Sequence, residues 1–465
     1  MNYHVELFQS LLNDFLQGES ALLTLEGDIL AIRGTNPVTY GTLPTAASTA
    51  TKYLQLQEGD IAILNDPYSG GSLLGEMTFV MAVSEDLIWV TRRPMETKVK
   101  ISKSVEEEGI RIPPTPLRQK NQLNELILDA IQAHPACPPY FKEWLKTQCQ
   151  DLTEKAQKLI EAIELSGFTI TGELIEDYLE LSKNAAWQKI NERSSGETRV
   201  DVVLDSGELL RVSMDIHDGK ITLDFGGTSS AKTVSLTESA TLGACFYTLA
   251  RFYGFEQIAN SGSFSVLQLT KPSGCWLVGK YPAPTYKGMT CGVAAIETAL
   301  DMALSQIHQK GERALDSRCS LRFDLKNDSK NKVLTLHGGS GATPSEAGAS
   351  AHTKAFSIEQ LERDFPVKVQ RIDHRQSTGG KGKNPGGRGL IMKFEIKEAV
   401  EGVWMTDLTL HRPRISKNCT HGDAGEILIE RQGETKNLPV LGTQQFAPGD
   451  IVTLCSGSGG GYGKE

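Results

Sequence analysis

The chain has 465 residues, of which 39% are apolar and 23% are charged, so it can build a large core and divide into two or three structural lobes. Its 48 basic and 57 acidic residues give a net charge of −9, and the two signs are interspersed, which disfavours a nucleic-acid partner. No apolar run reaches the roughly 20 residues of a membrane-spanning helix, and the first residues lack the layout of a signal peptide. We therefore expect a cytoplasmic protein without a membrane partner.

The first 118 residues predict an α+β lobe, because helical periodicity alternates with the period-two pattern of strands. The predicted elements are a helix over residues 6–16, a β-hairpin over 21–32, a helix over 43–56 and strands over 79–90. We expect the loops of this lobe to present Asn65, Asp66 and Glu76.

Three further regions follow along the chain. Residues 119–197 have the periodicity of a helical segment, and residues 198–320 predict a β-meander followed by packed helices. Residues 321–465 predict strands and glycine turns without a long helix. The predicted fold class is therefore α+β, multi-lobed, with mixed or antiparallel sheets and a β-rich C-terminal part.

The stretch from Gly59 to Ser72 is the most informative local pattern. The apolar run over residues 61–64 stops at Asn65-Asp66-Pro67 and opens into glycines, as expected for a buried strand that delivers polar side chains to a turn. Short polar groups at the end of a strand are common places for chemistry, although Asn-Asp-Pro is also an ordinary turn initiator. The pattern alone leaves both interpretations open.

Six later motifs, each weak alone, occur in the order found in one known family. They are residues 108–114, 223–229, 281–284, 379–382, 386–390 and 459–463. Together with Asn65-Asp66-Pro67-Tyr68-Ser69-Gly70-Gly71, they make the chain resemble the hydantoinase B/5-oxoprolinase family, which is related to ketone carboxylase subunits. The resemblance runs from near residue 20 to residue 463.

The resemblance implies a divalent metal, whose ligands in the family come from an early Asp, a His and an Asp after the Gly-Gly, and a later His pair. The matching positions here are Gln17, Leu73, Glu76 and residues 90–95, Val-Thr-Arg-Arg-Pro-Met. Leu, Pro and Met cannot replace imidazole or carboxylate ligands of a hard or borderline ion. We therefore expect the metal site to be absent or greatly weakened, with Asp66 and Glu76 as its weak remaining candidates.

The cysteine and histidine patterns give only minor candidates for a nucleophile and for metal ligands. The eight cysteines show no Cys-x-x-Cys pair and are expected to be reduced. Cys291, just before an apolar helix, is a nucleophile candidate whose structural interpretation is the stronger one. Cys419, His421 and Asp423 form a further metal candidate that lacks an identified fourth partner.

The resemblance also implies substrate-binding positions in the glycine-rich motifs. Arginine suits a substrate carboxylate because its fork donates two parallel hydrogen bonds, whereas the glycines equally fit tight turns or close backbone approach. The candidates are Arg111, Gly288, Arg375, Gly379, Gly380 and Arg388.

Three functions are consistent with the sequence. The first is ATP-dependent ring opening of a cyclic amide, 5-oxoproline or hydantoin, in an oligomeric complex with an ATP-using hydantoinase A-like partner. Asp66 or Glu76 would act as the base and Asn65 would position the intermediate. The second is the ketone carboxylase branch, and the third is a metal-less structural or regulatory paralogue. We place the hydrolase first, and expect no ATP site in this chain itself.

Overall fold

The computed structural model describes residues 2–95, 98–167, 169–308, 313–327, 330–352, 357–411 and 417–464. Its elements form an α+β fold, as predicted from the sequence. No helix within these residues is long and apolar enough to cross a membrane. The predicted region boundaries at residues 118, 197 and 320 stay predictions.

The N-terminal part is a seven-stranded antiparallel sheet with helices on both faces. Its strand order is β2-β1-β5-β4-β3-β6-β7. The elements are α1 (Asn2–Phe15), β1 (Glu19–Thr24), β2 (Ile29–Arg33), α2 (Thr39–Leu54), β3 (Ile61–Leu64), β4 (Glu76–Ala82), β5 (Leu87–Pro94), β6 (Thr115–Gln119) and β7 (Gln122–Leu123).

Strand β3 shows why its sequence is continuously apolar. Ile61 and Ile63 face one core, and Ala62 and Leu64 face the other, because successive side chains of a strand point to opposite sides. All four residues are buried. The strand ends at Leu64, and the next two residues, Asn65 and Asp66, are polar. They therefore follow directly after a strand whose two faces pack into different cores.

A helical layer covers one face of this sheet. The predicted helical segment contains α3 (Glu125–Gln132), α4 (Phe141–Ser166) and α5 (Gly172–Asn191). Asn124 and Thr171 begin α3 and α5 by accepting hydrogen bonds from backbone N–H groups of the first turns. Buried side chains of α1, α4 and α5 share one core with the sheet.

A second sheet has the order β11-β10-β9-β8, and helix α2, not this sheet, packs on the other face of the first sheet. Strands β8, β9 and β10 form the predicted antiparallel meander, whereas β11 pairs in parallel with β10. The elements are β8 (Gly196–Val203), β9 (Leu209–His217), β10 (Lys220–Asp224), α6 (Glu238–Tyr253), α7 (Ser261–Phe264), β11 (Leu267–Thr270) and α8 (Val293–Ile307). Helices α2 and α6 cross at Gly41 and Gly243, where an added Cβ would lie within 3 Å of the opposite backbone.

The C-terminal part is β-rich, and its one described helix has seven residues. Two antiparallel sheets, of order β13-β12-β16-β20 and β14-β15-β21-β18-β19, share a core that includes Phe323, Phe394, Trp404 and Phe446. The elements are β12 (Leu321–Lys326), β13 (Asn331–Leu336), α9 (Ile358–Asp364), β14 (Val367–His374), β15 (Leu390–Ile396), β16 (Val400–Met405), β17 (Cys419–Thr420), β18 (Glu426–Arg431), β19 (Glu434–Asn437), β20 (Leu441–Phe446), β21 (Ile451–Cys455) and β22 (Gly461–Tyr462).

Candidate functional site

Asn65 is fully buried at the end of β3, and all its polar atoms are hydrogen-bonded. Its Nδ2 donates to the carbonyl oxygens of Leu74 and Ile110, both at 2.9 Å, and its Oδ1 accepts from the N–H of Ile112 at 2.6 Å. The side chain thus fastens two loops to the end of the strand. Positioning a reaction intermediate, the role predicted for Asn65, would require one of these bonds to break.

Asp66 is also held by its own loop. Its Oδ1 accepts from the N–H of Tyr68 at 3.1 Å, and its Oδ2 accepts from Ser69 Oγ at 2.9 Å and from Arg111 Nη1 at 3.1 Å. Only 6% of the Asp66 side chain is exposed. These bonds cap the short helical turn over residues 67–69, so the carboxylate has little capacity left to take a proton from water.

Arg111 connects this turn to a distant segment. Besides Asp66, its guanidinium contacts Glu106 at 3.1 Å and lies 4.8 Å from the centre of the Tyr281 ring. The Tyr68 hydroxyl donates to the Ala283 carbonyl oxygen, and burial raises the pKa of that hydroxyl above its ordinary range. Arg111 therefore fixes two segments together, and a substrate carboxylate would have to compete with Asp66 for it.

Glu108 is a buried carboxylate in the same region that the sequence did not single out. Its Oε1 accepts from the N–H groups of Thr285 and Tyr286, both at 2.9 Å, and from Ser102 Oγ at 2.8 Å, while Oε2 accepts from Thr285 Oγ1. Burial raises its pKa, although the four hydrogen bonds act in the opposite direction. Its only sequence signal is its place in the motif over residues 108–114.

The loop between β3 and β4 ends at Glu76, whose surroundings are more open than those of Asp66. The carboxylate accepts a hydrogen bond from Ser72 Oγ and lies 3.8 Å from Arg92 Nη1, with 25% of its side chain exposed. Arg92 Nη2 donates to Thr39 Oγ1 at 2.8 Å, and that hydroxyl donates to Glu19. Arg92 is 3% exposed, and its Nε and Nη1 have no hydrogen-bond partner within the described chain.

The residues at the family's metal positions do not fit a divalent ion. Leu73 packs against two apolar clusters, and Met95 packs against the core beneath the helical layer. Glu76 is the one carboxylate among them, and the guanidinium of Arg92 already faces it. Within the described ranges, no three His, Cys, Asp or Glu side chains converge on one point, and those ranges include Cys419, His421 and Asp423.

The two C-terminal arginine candidates differ in how far they are engaged by the protein. Arg375 Nη1 donates to the carbonyl oxygens of Ala424 and Ser456, and its Nη2 pairs with Glu426 at 3.1 Å, which leaves 11% of the side chain exposed. Arg388 is exposed, and the one side-chain hydrogen bond it makes to the described residues is a long one, 3.5 Å, to Gln376. The structure therefore gives Arg375 a role in holding loops, whereas Arg388 is accessible.

The predicted glycine positions lie where two backbones touch. A Cβ on Gly379 would lie 2.0 Å from the Gly386 oxygen, and one on Gly380 would lie 2.2 Å from the Gly461 nitrogen. The N–H of Gly380 donates to the Gly459 oxygen at 2.9 Å. Close backbone approach, one of the two interpretations from the sequence, accounts for these glycines.

Gly288 begins a π-helical turn over residues 288–292, where a Cβ would lie 1.8 Å from the Ser235 oxygen. The preceding Lys287 donates to Ser206 Oγ at 2.8 Å and lies 3.5 Å from Asp407 Oδ2. Burial raises the pKa of Asp407, which borders a cavity of about 70 Å³. Sequence reasoning missed this lysine–aspartate pair.

Cys291 lies within the same turn and is 1% exposed. Its Sγ is 3.5 Å from the Sγ of Cys319, which is also buried. Both thiols therefore contribute to a small apolar cluster with Tyr286 and Met405. This location suits the structural interpretation of Cys291 better than a nucleophilic one.

A family profile described as Hydantoinase B/oxoprolinase matches residues 10–465. The chain therefore belongs to the hydantoinase B/oxoprolinase family. An uncharacterized protein of Methanocaldococcus jannaschii is 25% identical over 97% of this chain and 85% of its own length. 5-Oxoprolinase 1 of Arabidopsis thaliana is 24% identical over 96% of this chain, which spans only 39% of that longer protein.

Two solved structures have the same fold. The ATP-dependent caprolactamase of Pseudomonas jessenii superposes with a TM-score of 0.81 at 18% identity, covering 96% of this chain and 84% of that one. A nucleotide-free structure of acetone carboxylase gives a TM-score of 0.79 at 14% identity, covering 96% of this chain and 71% of that one. At these identities the likeness shows the fold alone.

Proposed function

We infer that this chain is the hydantoinase B-type subunit of an ATP-dependent hydrolase that opens a cyclic amide of the 5-oxoproline or hydantoin class. Membership of the family supports the subunit type. The observation that carries the catalytic assignment is the partly exposed carboxylate of Glu76, which stands at the end of the loop between β3 and β4. The name of the Arabidopsis thaliana relative, 5-oxoprolinase 1, supports the class of substrate.

A lactam resists hydrolysis because its nitrogen donates electrons into the carbonyl group, so the reaction needs an activating step. In this proposal an ATP-using partner of hydantoinase A type phosphorylates the lactam oxygen and releases ADP. One water then adds to the activated carbon, and the ring nitrogen leaves with a proton as an amine. A second water releases phosphate from the resulting acyl phosphate.

Glu76 is the better candidate for the base that takes a proton from the attacking water. Asp66 already accepts hydrogen bonds from Tyr68, Ser69 and Arg111. Glu76 accepts one hydrogen bond within the described chain, from Ser72, and is more exposed. A general base needs a free lone pair directed at water, which this carboxylate offers.

The experiment measures formation of the ring-opened product by the chain co-purified with a hydantoinase A-type partner, with ATP present and with 5-oxoproline and hydantoin as substrates. Glu76→Gln should lower kcat by about 100-fold or more, the usual contribution of a general base. The matched control is Glu85→Gln, because Glu85 is an exposed glutamate in the turn at the other end of β4. Equal kcat values for the two variants would contradict the assignment.

A second candidate is a structural or regulatory subunit without its own catalysis. Two observations favour it: Asn65 and Asp66 are engaged in holding loops, and Arg92 faces Glu76. It predicts that the complex forms and that Glu76→Gln changes the rate of product formation no more than Glu85→Gln does. The fold shared with acetone carboxylase does not favour carboxylation over ring opening.

A further inference from the structure

The seven-stranded sheet contains a buried cation in its centre. Strand β5 lies between β1 and β4, and Arg92 on β5 pairs directly across with Glu19 on β1 and with Thr78 on β4. The side chain of Arg92 is 2% exposed. A guanidinium taken out of water is tolerated only when carboxylates or hydrogen-bond acceptors compensate for its lost hydration.

Two carboxylates supply that compensation from opposite sides. Glu19 reaches the guanidinium through the hydroxyl of Thr39, which donates to Glu19 while it accepts from Arg92 Nη2. Glu76 approaches Nη1 to 3.8 Å, too far for a direct hydrogen bond. The cluster therefore holds two negative charges and one fixed positive charge, and the contact between Glu76 and Arg92 is long.

The guanidinium is also incompletely satisfied. Its Nε and Nη1 are buried and have no hydrogen-bond partner within the described residues. A buried donor without a partner costs free energy, so native proteins keep one only where water, an ion or a ligand completes it. Nη1 faces the partly exposed Glu76 at 3.8 Å, so an acceptor for this donor would lie on the Glu76 side of the guanidinium.

We propose that the guanidinium of Arg92 is the resident cation of this site, in place of the divalent ion that the family resemblance implies. Its open N–H groups bind an oxygen of the water or carbonyl ligand that lies beside Glu76. The inference goes beyond the proposed ring opening, because it concerns which cation occupies the site. It holds for a catalytic and for a non-catalytic subunit alike.

Local electrostatics explains why the guanidinium excludes a metal ion. A divalent ion bound to Glu76 would lie close to a permanent positive charge that cannot be deprotonated at any ordinary pH. Apolar Leu73 and Met95 add no ligand. The site should therefore be insensitive both to chelators and to added divalent ions.

The test compares thermal melting midpoints of the full-length chain with EDTA and with manganese or zinc chloride. Wild-type protein and Arg92→Lys, which keeps the charge, should shift by less than about 1 °C between these conditions. Arg92→Met removes the charge and leaves Glu19 and Glu76 without a counter-ion, so its midpoint should fall by several degrees and partly recover with metal. That recovery should disappear in Arg92→Met/Glu76→Gln.

Elemental analysis of the same samples supplies the readout that does not depend on folding of the variants. Less than about a tenth of an equivalent of metal in wild-type protein supports the proposal. One equivalent that Glu76→Gln removes would overturn it, as would an Arg92→Met protein that melts like wild type and ignores metal. Because neither readout is an activity, failure of the proposal is distinguishable from failure of the proposed ring opening.

Discussion

The loop between β3 and β4 carries one carboxylate–arginine pair at each end, and the two pairs differ in how completely they are satisfied. Asp66 and Arg111 are 3.1 Å apart, and each makes further hydrogen bonds or ion pairs. Glu76 and Arg92 are 3.8 Å apart, and the arginine keeps two buried donors open. The first pair holds loops together, whereas the second has unused binding capacity.

This difference shows that polar residues in a recognisable motif can be fully engaged in holding their own loops. Asn65 and Asp66 stand in the most distinctive stretch of the sequence, yet their polar atoms are used by their own loops. Glu76 and Arg92 belong to ordinary strand sequences, yet together they form the open site. Four variants test this contrast, beginning with the one that we expect to destabilise the protein most.

Asn65→Ala should give the largest loss of stability. It removes three hydrogen bonds and leaves two carbonyl groups and one N–H buried without partners, at a cost of about 3–5 kcal/mol. The melting midpoint should fall by about 5–10 °C. Asn184→Ala, which changes an exposed asparagine of α5, should leave it within about 1 °C, and a comparable fall in both would contradict a structural role for Asn65.

Asp66→Asn should have an intermediate effect. The substitution keeps an acceptor for the N–H of Tyr68 but removes the charge that faces Arg111, whose side chain is 28% exposed and therefore partly solvated. We expect the melting midpoint to fall by about 3 °C. The comparison variant is Glu106→Gln. It removes the charge of the exposed carboxylate that contacts the same arginine, and it should change the midpoint by less than about 1 °C.

Glu76→Gln should change stability little, because Glu76 is 25% exposed and 3.8 Å from Arg92, and Glu19 still compensates the guanidinium through Thr39. The melting midpoint should stay within about 2 °C of wild type, while the loss of activity predicted above would be large. A fall in stability as great as that of Asp66→Asn would mean that Glu76 and Arg92 hold the structure together as Asp66 and Arg111 do.

Glu108 provides a test by pH. Burial raises its pKa above the ordinary 4.5, so the folded protein holds this proton to higher pH than the unfolded chain does. The resulting stabilisation is complete below 4.5 and is lost as pH rises through the folded-state pKa. The melting midpoint of wild type relative to Glu108→Gln should therefore fall as pH is raised from about 4 towards 8. A relative rise would contradict the sign of the shift.

Much of the fold could be predicted from local sequence, because the helices, the first hairpin and the meander each have a clear periodicity. The continuous apolar run of β3 also marked a strand with two buried faces. Parallel pairing of β11 with β10 could not be foreseen, since it depends on a long connection through α6 and α7. The sequence predicted Glu76 as a site residue, which stays a prediction, but it did not point to the neighbouring Arg92.

Arg92 was missed for a physical reason. Its burial follows from the position of β5 between two strands, and its link to Glu19 depends on the register of β1, which no local pattern reveals. Glu108 was missed in the same way, because the N–H groups that it accepts from lie more than 170 residues further along the chain. Long-range pairings of this kind decide which polar residues are structural and which are open.

The most direct test of the central claim is the anomalous diffraction from crystals grown with millimolar manganese chloride. We predict no anomalous peak between Glu76 and Glu19, and electron density for an ordered Arg92 guanidinium with a water or ligand oxygen at its open N–H groups. A manganese peak coordinated by Glu76, with Arg92 displaced, would contradict the claim that the guanidinium is the cation of this site.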